Sequence, residues 1–481
     1  MNIKRNFLLL FFLTHVVVAL SLKPVTIEGN ASFAKNDQLR FYFYDDLLLQ
    51  HRTLCATAKV DANGNFKVQI PANETSLLVI AYNTTYGQIF IEPEKKYQIE
   101  LSADENTLKR IDADMLGGFI NAKFTSIDTN ELNYKINRFE RYYSLFLYTY
   151  GDVFFQNVPI TTYDSLISLL TDRFPIKKDA IDYYSIYIKY KLAYIDLLYY
   201  HKDKQKMYDK YLDNPDIFYN NVAYMDFFDH FFENYLYAGT RKISKKILYE
   251  NINEHRNYFK LLDEMGKDPV LVNEKIREMV LIKALGELYG LDHEFSRNNI
   301  LYLLYQTKNE SKFLEHQQMA ENMINYLTSL QPGIEAPDFM LKDVYNSPVK
   351  LSELKGKYVY LHFFSTYCED CIREMLVLKS IQEKYKDSLQ IVSIMLDFEQ
   401  ANLYHFVNTY KDFDWRFLHF DKNFSFIDAY GVYALPLGIL INSQGKIVSC
   451  SAKSPTQGLL GQIFDLFPVI ETSKELKNFR Y

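Results

Sequence analysis

Two cysteines separated by two residues lie where an apolar run of strand length gives way to a helical pattern. The run is Tyr358–Phe364, and residues Glu369–Tyr385 then carry apolar side chains at helical spacing. Cys368 therefore falls at the start of the predicted helix, where unpaired backbone N–H groups and the helix dipole favour a thiolate. Cys371 lies one turn further on and can close on it. Such a pair can attack a disulfide, pass through a mixed disulfide and resolve it.

Two other uses of this pair are weighed against redox chemistry. A structural zinc site usually needs two such pairs, but the chain has only 4 cysteines, and Cys55 and Cys450 are isolated. An inert structural disulfide is the second alternative, although so short a loop stabilises little. We therefore expect no metal and no organic cofactor, only a redox-active disulfide between Cys368 and Cys371.

The composition is that of a folded protein with several domains. The chain has 481 residues, enough for about three domains, and is 48% hydrophobic and 24% charged. Its net charge of −6 gives no indication of a nucleic-acid partner.

The first 21 residues resemble a secretory signal. Lys4 and Arg5 precede the apolar stretch Phe7–Leu20, and small residues follow at the cleavage position. An uncleaved membrane anchor is the alternative, but about 14 apolar residues are few for a bilayer span. We expect export to the periplasm or cell envelope, where disulfides form and persist.

Residues 22–108 show the pattern of a small antiparallel β-sandwich. The segment Ala58–Ile70 alternates apolar and polar residues around Asn63-Gly64, which predicts a hairpin. Further short strands are predicted at Leu39–Tyr44, Leu77–Tyr82, Gln88–Glu92 and Tyr97–Leu101.

Residues 109–330 show helical patterns. The clearest begins near Ile181 and runs to Tyr199 with apolar residues three or four apart, and Asp179 is a possible cap. Pro269 suits the first turn of a helix extending to Tyr289. The Tyr and Phe stripes are expected to be core rather than a ligand groove. No catalytic constellation is evident in this region.

Residues 331–481 form a third region, which begins at a helix break at Gln331-Pro332-Gly333. Strand and helix patterns alternate beyond it, which predicts a central sheet with parallel strands and a terminal antiparallel hairpin. Predicted strands are Tyr358–Phe364, Leu389–Leu396, Phe417–Phe420, Leu437–Ile441 and Lys446–Ser449, and predicted helices are Glu369–Tyr385, Gln400–Tyr410, Phe424–Tyr430 and Thr456–Phe467.

The third region carries a series of short motifs along its length. They are Pro332-Gly333 with Ala336-Pro337-Asp338-Phe339, the Cys pair followed by Ile372-Arg373-Glu374-Met375, Asp397, Tyr430-Gly431-Val432, Leu435-Pro436, and Ile439-Leu440-Ile441 with Gly445-Lys446-Ile447. In this order the motifs resemble those of the TlpA/ResA-like thiol–disulfide oxidoreductases of the thioredoxin superfamily, and the resemblance covers about residues 332–470.

The resemblance implies a role for several residues. Cys368 would be the nucleophile and Cys371 the resolving thiol. Pro436, after Leu435, would be a cis proline that faces the pair and lets a substrate strand dock; an ordinary edge-strand proline is the alternative. Glu374 would be an acid that tunes the thiol pKa values, or else a solvated helix charge. The family also implies oxidised envelope proteins as substrates and a membrane protein as electron donor.

The sequence departs from the family pattern around the first cysteine. Tyr367 stands where Trp is common, and Glu369 and Asp370 lie between the cysteines where Pro is common. Two carboxylates beside the nucleophile disfavour a thiolate, although acids also suit the first turn of a helix. We expect a reduction potential nearer about −270 mV, as in thioredoxin, than the strongly oxidising value of about −120 mV.

His362 lies six residues before Cys368, where thioredoxins place a buried Asp and TlpA-like proteins often have Asn. One hypothesis is that His362 relays a proton to or from Cys371. The alternative, which we favour, is a packed strand histidine with one hydrogen bond.

Two other functions remain as alternatives. Peroxiredoxins share the Ala336-Pro337-Asp338-Phe339 segment, but they place Thr and Pro where this chain has Ser365 and Leu361. A non-enzymatic envelope binding protein with a structural disulfide is the other. In the favoured interpretation, the first two regions position or dimerise the redox domain, or hold its client.

Overall fold

The computed structural model describes residues 23–466 apart from residues 84, 104–118, 126–127, 157, 178, 201–202, 241, 292 and 433. The predicted signal sequence, residues 1–21, lies outside the described residues. Within the described part of the chain, none of the helices combines the length and apolar character that a bilayer crossing requires.

The first region contains two four-stranded sheets whose buried side chains form one cluster. The sheet orders are β4-β1-β7-β8 and β3-β2-β5-β6. Strand β4 alternates buried and exposed residues, as the pattern around Phe66 predicts. The strands are β1 Lys23–Asn30, β2 Gln38–Tyr44, β3 Arg52–Lys59, β4 Asn65–Ala72, β5 Ser76–Tyr82, β6 Thr85–Ile91, β7 Lys96–Ala103 and β8 Ile120–Phe124.

The predicted hairpin across Ala58–Ile70 is wrong in its pairing. A turn does form at Asn63-Gly64, with Gly64 at φ +89°. However, β3 pairs with β2 and β4 pairs with β1, so the turn carries the chain from one sheet to the other. The Asn-Gly signal is local, and it cannot tell which strands pair beyond the turn.

Two further features of this region differ from the prediction. The region is not purely antiparallel, because β1 and β7 pair in parallel. Strand β8 pairs with β7 beyond the predicted boundary at residue 108, in a segment that was expected to be helical. With only five residues, and with polar residues on both sides of the central Ala122, Ile120–Phe124 gives a weak strand pattern.

The second region is helical and forms one large aromatic and aliphatic core. This core extends into the first region, because the Phe90 ring on β6 contacts the rings of Tyr183 and Tyr187. The Asn133 side chain also bonds both backbone groups of Phe90, at 2.6 and 2.7 Å. The helices are α1 Leu132–Tyr150, α2 Ile160–Thr171, α3 Tyr183–Tyr199, α4 Lys204–Tyr211, α5 Val222–Phe231, α6 Lys245–Tyr249, α7 Tyr258–Met265, α8 Glu274–Tyr289, α9 Arg297–Glu310 and α10 Leu314–Thr328.

Two predicted helix starts in this region are displaced. Helix α3 is capped by Asp182, whose carboxylate accepts a hydrogen bond from the Ser185 N–H, rather than by Asp179. Pro269 lies in a separate 3-10 turn, and Asn273 caps α8 four residues later. Both corrections follow from Asp and Asn side chains that satisfy free N–H groups at the first turn.

The third region is a seven-stranded sheet in the order β10-β9-β13-β12-β11-β14-β15. Strands β11, β12 and β13 are parallel, and β14 and β15 close the sheet antiparallel. Strand β11 and helix α11 have the predicted bounds. The elements are β9 Met340–Asp343, β10 Pro348–Lys350, β11 Tyr358–Phe364, α11 Glu369–Tyr385, β12 Leu389–Met395, α12 Gln400–Thr409, β13 Arg416–His419, α13 Phe424–Ala429, β14 Leu437–Ile441, β15 Ile447–Ser449 and α14 Leu459–Leu466.

The third region has its own core and contacts the first region through α13. The Arg40 guanidinium lies 3.7 Å from the centre of the Phe424 ring, and it donates a hydrogen bond to the Tyr42 hydroxyl at 3.0 Å. Burial raises the pKa of Asp428, while Arg40 and Arg52 of the first region pull it down. The two regions therefore meet through a cation–π contact, and the arginines of the first region attract the Asp428 carboxylate.

Candidate active site

The Cys pair lies at the junction of β11 and α11. Cys368 is the N-cap of α11, and its sulfur accepts a hydrogen bond from the Cys371 N–H at 3.1 Å. The two cysteines are joined by a disulfide, with Cα atoms 5.2 Å apart. Cys368 is 9% exposed whereas Cys371 is fully buried. An incoming sulfur can therefore approach only Cys368 from solvent.

The turn that precedes Cys368 is fastened to the end of the neighbouring strand. Asp397, which is buried two residues beyond β12, accepts hydrogen bonds from the Ser365 hydroxyl at 2.7 Å and the Thr366 N–H at 3.0 Å. The Thr366 hydroxyl donates to its other carboxylate oxygen. The carboxyl ends of parallel strands meet at one sheet edge, and this edge therefore holds the Cys turn.

The bond between Leu435 and Pro436 is cis. Leu437, the first residue of β14, pairs with Phe363 on β11. Pro436 therefore lies beside the end of β11, where the Cys turn leaves the sheet. Leu435 is 8% exposed, and Pro436 is half-buried.

Glu374 is buried rather than solvated, so the alternative of a solvated helix charge is wrong. Its carboxylate accepts hydrogen bonds from the Thr456 N–H at 2.8 Å and the Thr456 hydroxyl at 2.5 Å. Glu374 lies one helical turn beyond Cys371, on the same buried face of α11. Burial raises the pKa of Tyr360, and the nearby Glu374 charge adds to this effect.

The other three predicted tuning residues of the turn face solvent. Tyr367 is 59% exposed, and Glu369 and Asp370 are both exposed. Asp370 forms an ion pair with Arg373 at 2.8 Å, one helical turn further on. Because both partners are largely exposed, the pair adds little stability but reduces the negative charge beside Cys368.

His362 is fully buried in β11, with its ring parallel to that of Phe364. Its Nδ1 lies 3.3 Å from the Ser393 hydroxyl, which also accepts a hydrogen bond from the Trp415 indole at 2.9 Å. The Nε2 atom has no hydrogen-bond partner among the described residues. Burial lowers the pKa of His362 to about 3, so the ring is neutral at pH 7.

Comparison with protein families identifies the part of the chain that contains the Cys pair. The AhpC/TSA family model matches residues 332–450. The ResA thiol-disulfide oxidoreductase of Halalkalibacterium halodurans is 33% identical over 139 residues, which are 28% of this chain and 76% of that protein. The ResA of Bacillus subtilis is 31% identical over 147 residues, 30% of this chain and 80% of that protein.

The chain belongs to the ResA-like thiol–disulfide oxidoreductases. It is therefore an enzyme, and the alternative of a non-enzymatic binding protein does not fit. A solution structure of a thiol-disulfide oxidoreductase from Bacteroides vulgatus has 28% sequence identity and a TM-score of 0.27, and it covers 30% of this chain and 94% of that one. The residues that the family model matches lie within the third region, and the first two regions lie outside that match.

The remaining two cysteines of this ResA-like protein lie outside the pair, and neither is part of a disulfide. Cys55 on β3 is half-buried, its sulfur donates to the Phe41 carbonyl at 3.2 Å, and burial raises its pKa to about 11. Cys450 is exposed just beyond β15. Neither has the helix N-terminus that favours a thiolate.

Sequence reasoning missed the partners that hold the site of this ResA-like domain. Asp397 appears in the sequence only as a family motif, and its contacts to Ser365 and Thr366 span 32 and 31 residues. Thr456, the partner of Glu374, is 82 residues away from it in the chain. A polar residue directly after a predicted parallel strand was the available signal for Asp397.

Proposed function

We propose that this enzyme reduces disulfides of exported proteins in the periplasm or cell envelope through Cys368 and Cys371. The observation that carries the proposal is the position of Cys368. It is the outer cysteine of the pair, at a helix N-terminus, with its sulfur accepting the Cys371 N–H. That N–H and the helix dipole stabilise a thiolate at Cys368 once the disulfide is reduced.

The proposed reaction transfers two electrons from the dithiol to the client. The Cys368 thiolate attacks one sulfur of the client disulfide, and the other client sulfur leaves as a thiolate that takes up a proton. Cys371 then loses its proton and attacks the Cys368 sulfur, which releases the second client thiol. The enzyme is left with the Cys368–Cys371 disulfide present in this structure. A membrane protein that donates two electrons and two protons would regenerate the dithiol.

The loop at Leu435-Pro436 is proposed to receive the client backbone. Proline has no N–H, and the loop lies beside the end of β11, where the client sulfur must approach. The backbone groups around Pro436 can then pair with an extended client segment while its sulfur meets Cys368.

The first two regions are proposed to hold the redox domain in a fixed orientation. Arg40 supports this role, because its stacking on Phe424 joins the first region to α13, the helix that precedes the Leu435-Pro436 loop. Dimerisation of the redox domain through these regions is the other role proposed for them. Analytical ultracentrifugation of the full chain would test it.

The proposal is tested by reduction of insulin and of a fluorescent peptide disulfide. Cys368→Ser should abolish turnover, whereas Cys450→Ser, which changes an exposed cysteine outside the pair, should leave the rate unchanged. Cys371→Ser should accumulate mixed disulfides with clients in the native host. Full activity of Cys368→Ser would overturn the proposal.

Peroxide reduction is the second candidate function, because the matching family model carries the AhpC/TSA name. Ser365 stands where peroxiredoxins place Thr, and its hydroxyl is committed to Asp397. Leu361, at the position of the peroxiredoxin Pro, is fully buried within β11. We therefore expect slow turnover of hydrogen peroxide with dithiothreitol as reductant, and rapid turnover would favour this second function.

A further inference from the structure

Among the described residues, the carboxylate of Asp397 receives four hydrogen bonds, and three of them come from the turn that carries Cys368. These three are the bonds from the Ser365 hydroxyl, the Thr366 N–H and the Thr366 hydroxyl. The fourth comes from the Asn402 side chain on α12, at 3.2 Å. Asp397 is itself 3% exposed, so these bonds are shielded from water.

The same contacts extend to the residues between Asp397 and Cys368. The Ser365 hydroxyl lies 3.3 Å from the Tyr367 N–H, and the Ser365 carbonyl accepts the Cys368 N–H at 3.1 Å. Every residue from Ser365 to Cys368 is thereby fixed to Asp397 directly or through Ser365. The backbone of Asp397 is fixed in turn, because its carbonyl oxygen lies 2.7 Å from Nε2 of the buried His419 on β13.

We propose that Asp397 is the positioning residue of the redox turn: its carboxylate holds Ser365 and Thr366 so that the Cys368 sulfur stays at the N-terminus of α11. This inference rests on the proposed function of Cys368 as the nucleophile. Asp397 contacts neither sulfur through a hydrogen bond among those described, and its effect on the reaction passes through the geometry of the turn.

Cys368 can act as the nucleophile only from its position at the N-cap of α11. Its sulfur accepts the Cys371 N–H at 3.1 Å only while Cys368 remains the N-cap, with φ −94° and ψ 97°. A turn released from Asp397 can move the sulfur away from that N–H and from the client. A displacement of about 1 Å of a reacting group can lower a rate by about 100-fold.

Two substitutions of Asp397 distinguish the effect of its hydrogen bonds to the turn from the effect of its negative charge. Asp397→Asn keeps an oxygen for Ser365 and the Thr366 N–H but removes the negative charge. Asp397→Ala removes both the charge and the acceptors. The matched control is Asn408→Ala, which removes a polar side chain from the exposed face of α12 in the same domain.

The first measurement is peptide disulfide reduction by the full chain. We expect Asp397→Ala to lower kcat by about tenfold or more with KM within about twofold, because the Pro436 loop is untouched. Asp397→Asn should recover kcat to within about threefold of the wild type. Equal losses in the two variants, or a wild-type kcat in Asp397→Ala, would overturn the proposal.

The second measurement does not depend on turnover. In a Cys371→Ser background, the pH dependence of iodoacetamide alkylation gives the pKa of the Cys368 thiol. We expect Asp397→Ala to raise this pKa and Asp397→Asn to leave it close to the Cys371→Ser parent, since loss of the helix N-terminal position destabilises the thiolate. An unchanged pKa in Asp397→Ala would contradict the positioning role.

The two measurements also distinguish the inference from the function on which it rests. If the wild-type chain reduced no disulfide, the proposed function would fail, while the alkylation experiment would still test the turn. If Asp397→Ala does not fold, Ser365→Ala takes its place, because it deletes the hydroxyl that joins Asp397 to the Tyr367 N–H. Wild-type kcat and an unchanged thiol pKa in Ser365→Ala would then overturn the proposal.

Discussion

His362 should make the redox domain sensitive to acid. Its pKa is lowered from 6.5 to about 3 because the fully buried ring cannot be hydrated when charged. Below pH 6.5 the unfolded chain binds a proton on His362 that the folded chain does not bind. The free energy of unfolding therefore falls as pH falls from about 6.5 towards about 3, and the contribution of His362 is fully retained above that range.

The magnitude follows from the two pKa values. Between pH 7 and pH 5, protonation of His362 in the unfolded state alone lowers the free energy of unfolding by about 2 kcal/mol. This is a large share of the 5 to 15 kcal/mol, roughly, by which a typical domain is stable. Replacement of His362 by Asn should remove this pH dependence, whatever its effect on stability at pH 7.

The assay can use the single tryptophan of the chain. Trp415 lies in the redox domain and donates to Ser393, the partner of His362, so its fluorescence reports on unfolding of this domain alone. Urea unfolding at pH 7 and pH 5 should show the loss of about 2 kcal/mol in the wild type and little loss in His362→Asn. His405→Asn, an exposed histidine of the same domain, is the control and should behave as the wild type.

The other buried histidine of the redox domain, His419, does not confuse the comparison. Burial also lowers the pKa of His419, and Asp397 and Asp421 partly offset the shift. His419 is present in both proteins, so its contribution cancels in the difference between them. Equal losses of stability on acidification in wild type and His362→Asn would refute the reasoning.

Three further substitutions test packing. Gly438→Ala should destabilise the redox domain by about 1–3 kcal/mol in the same fluorescence assay, because the new Cβ would lie 2.2 Å from the hydroxyl of the buried Tyr360. Gly461→Ala, in helix α14 with no atom within 4 Å of the new Cβ, should instead stabilise the domain by about 0.5–1 kcal/mol, and a loss of stability would contradict the packing described. Asn133→Ala should lower the free energy of unfolding of the first two regions by about 2–4 kcal/mol, because both backbone groups of Phe90 lose a buried partner. The Phe90 amide should then become open to hydrogen exchange, and unchanged protection of that amide would argue against this contact.

The sequence predicts the redox domain better than the rest of the chain for a physical reason. In Tyr358–Phe364 and Glu369–Tyr385, hydrophobic pattern, length and the Cys pair all indicate the same strand and helix, and both bounds agree with the structure. The Asn63-Gly64 turn shows the limit of such patterns. The local turn is correct, but the partner of each strand is set by the two sheets and not by the turn.

The site shows the same division between local and distant information. The cysteines and the proline can be recognised in the sequence because each belongs to a short motif of neighbouring residues. Asp397 and Thr456 act through contacts with residues far away in the chain, and a single sequence does not contain those distances. Glu374 likewise meets its partner Thr456 only in the folded chain, so the position of Glu374 in the predicted helix does not indicate that it is buried.

The link that Phe90 makes between the first two regions has a consequence for how the molecule responds to damage. Phe90 belongs to the same buried cluster as the helices, whereas most other buried side chains of the two sheets, and those of the redox domain, form clusters of their own. A lesion in β6 at Phe90 would therefore spread to the helices. Contacts such as the one between Arg40 and Phe424 join the redox domain to the first region, but its separate core makes the ResA-like domain a unit that heat or a protease could spare.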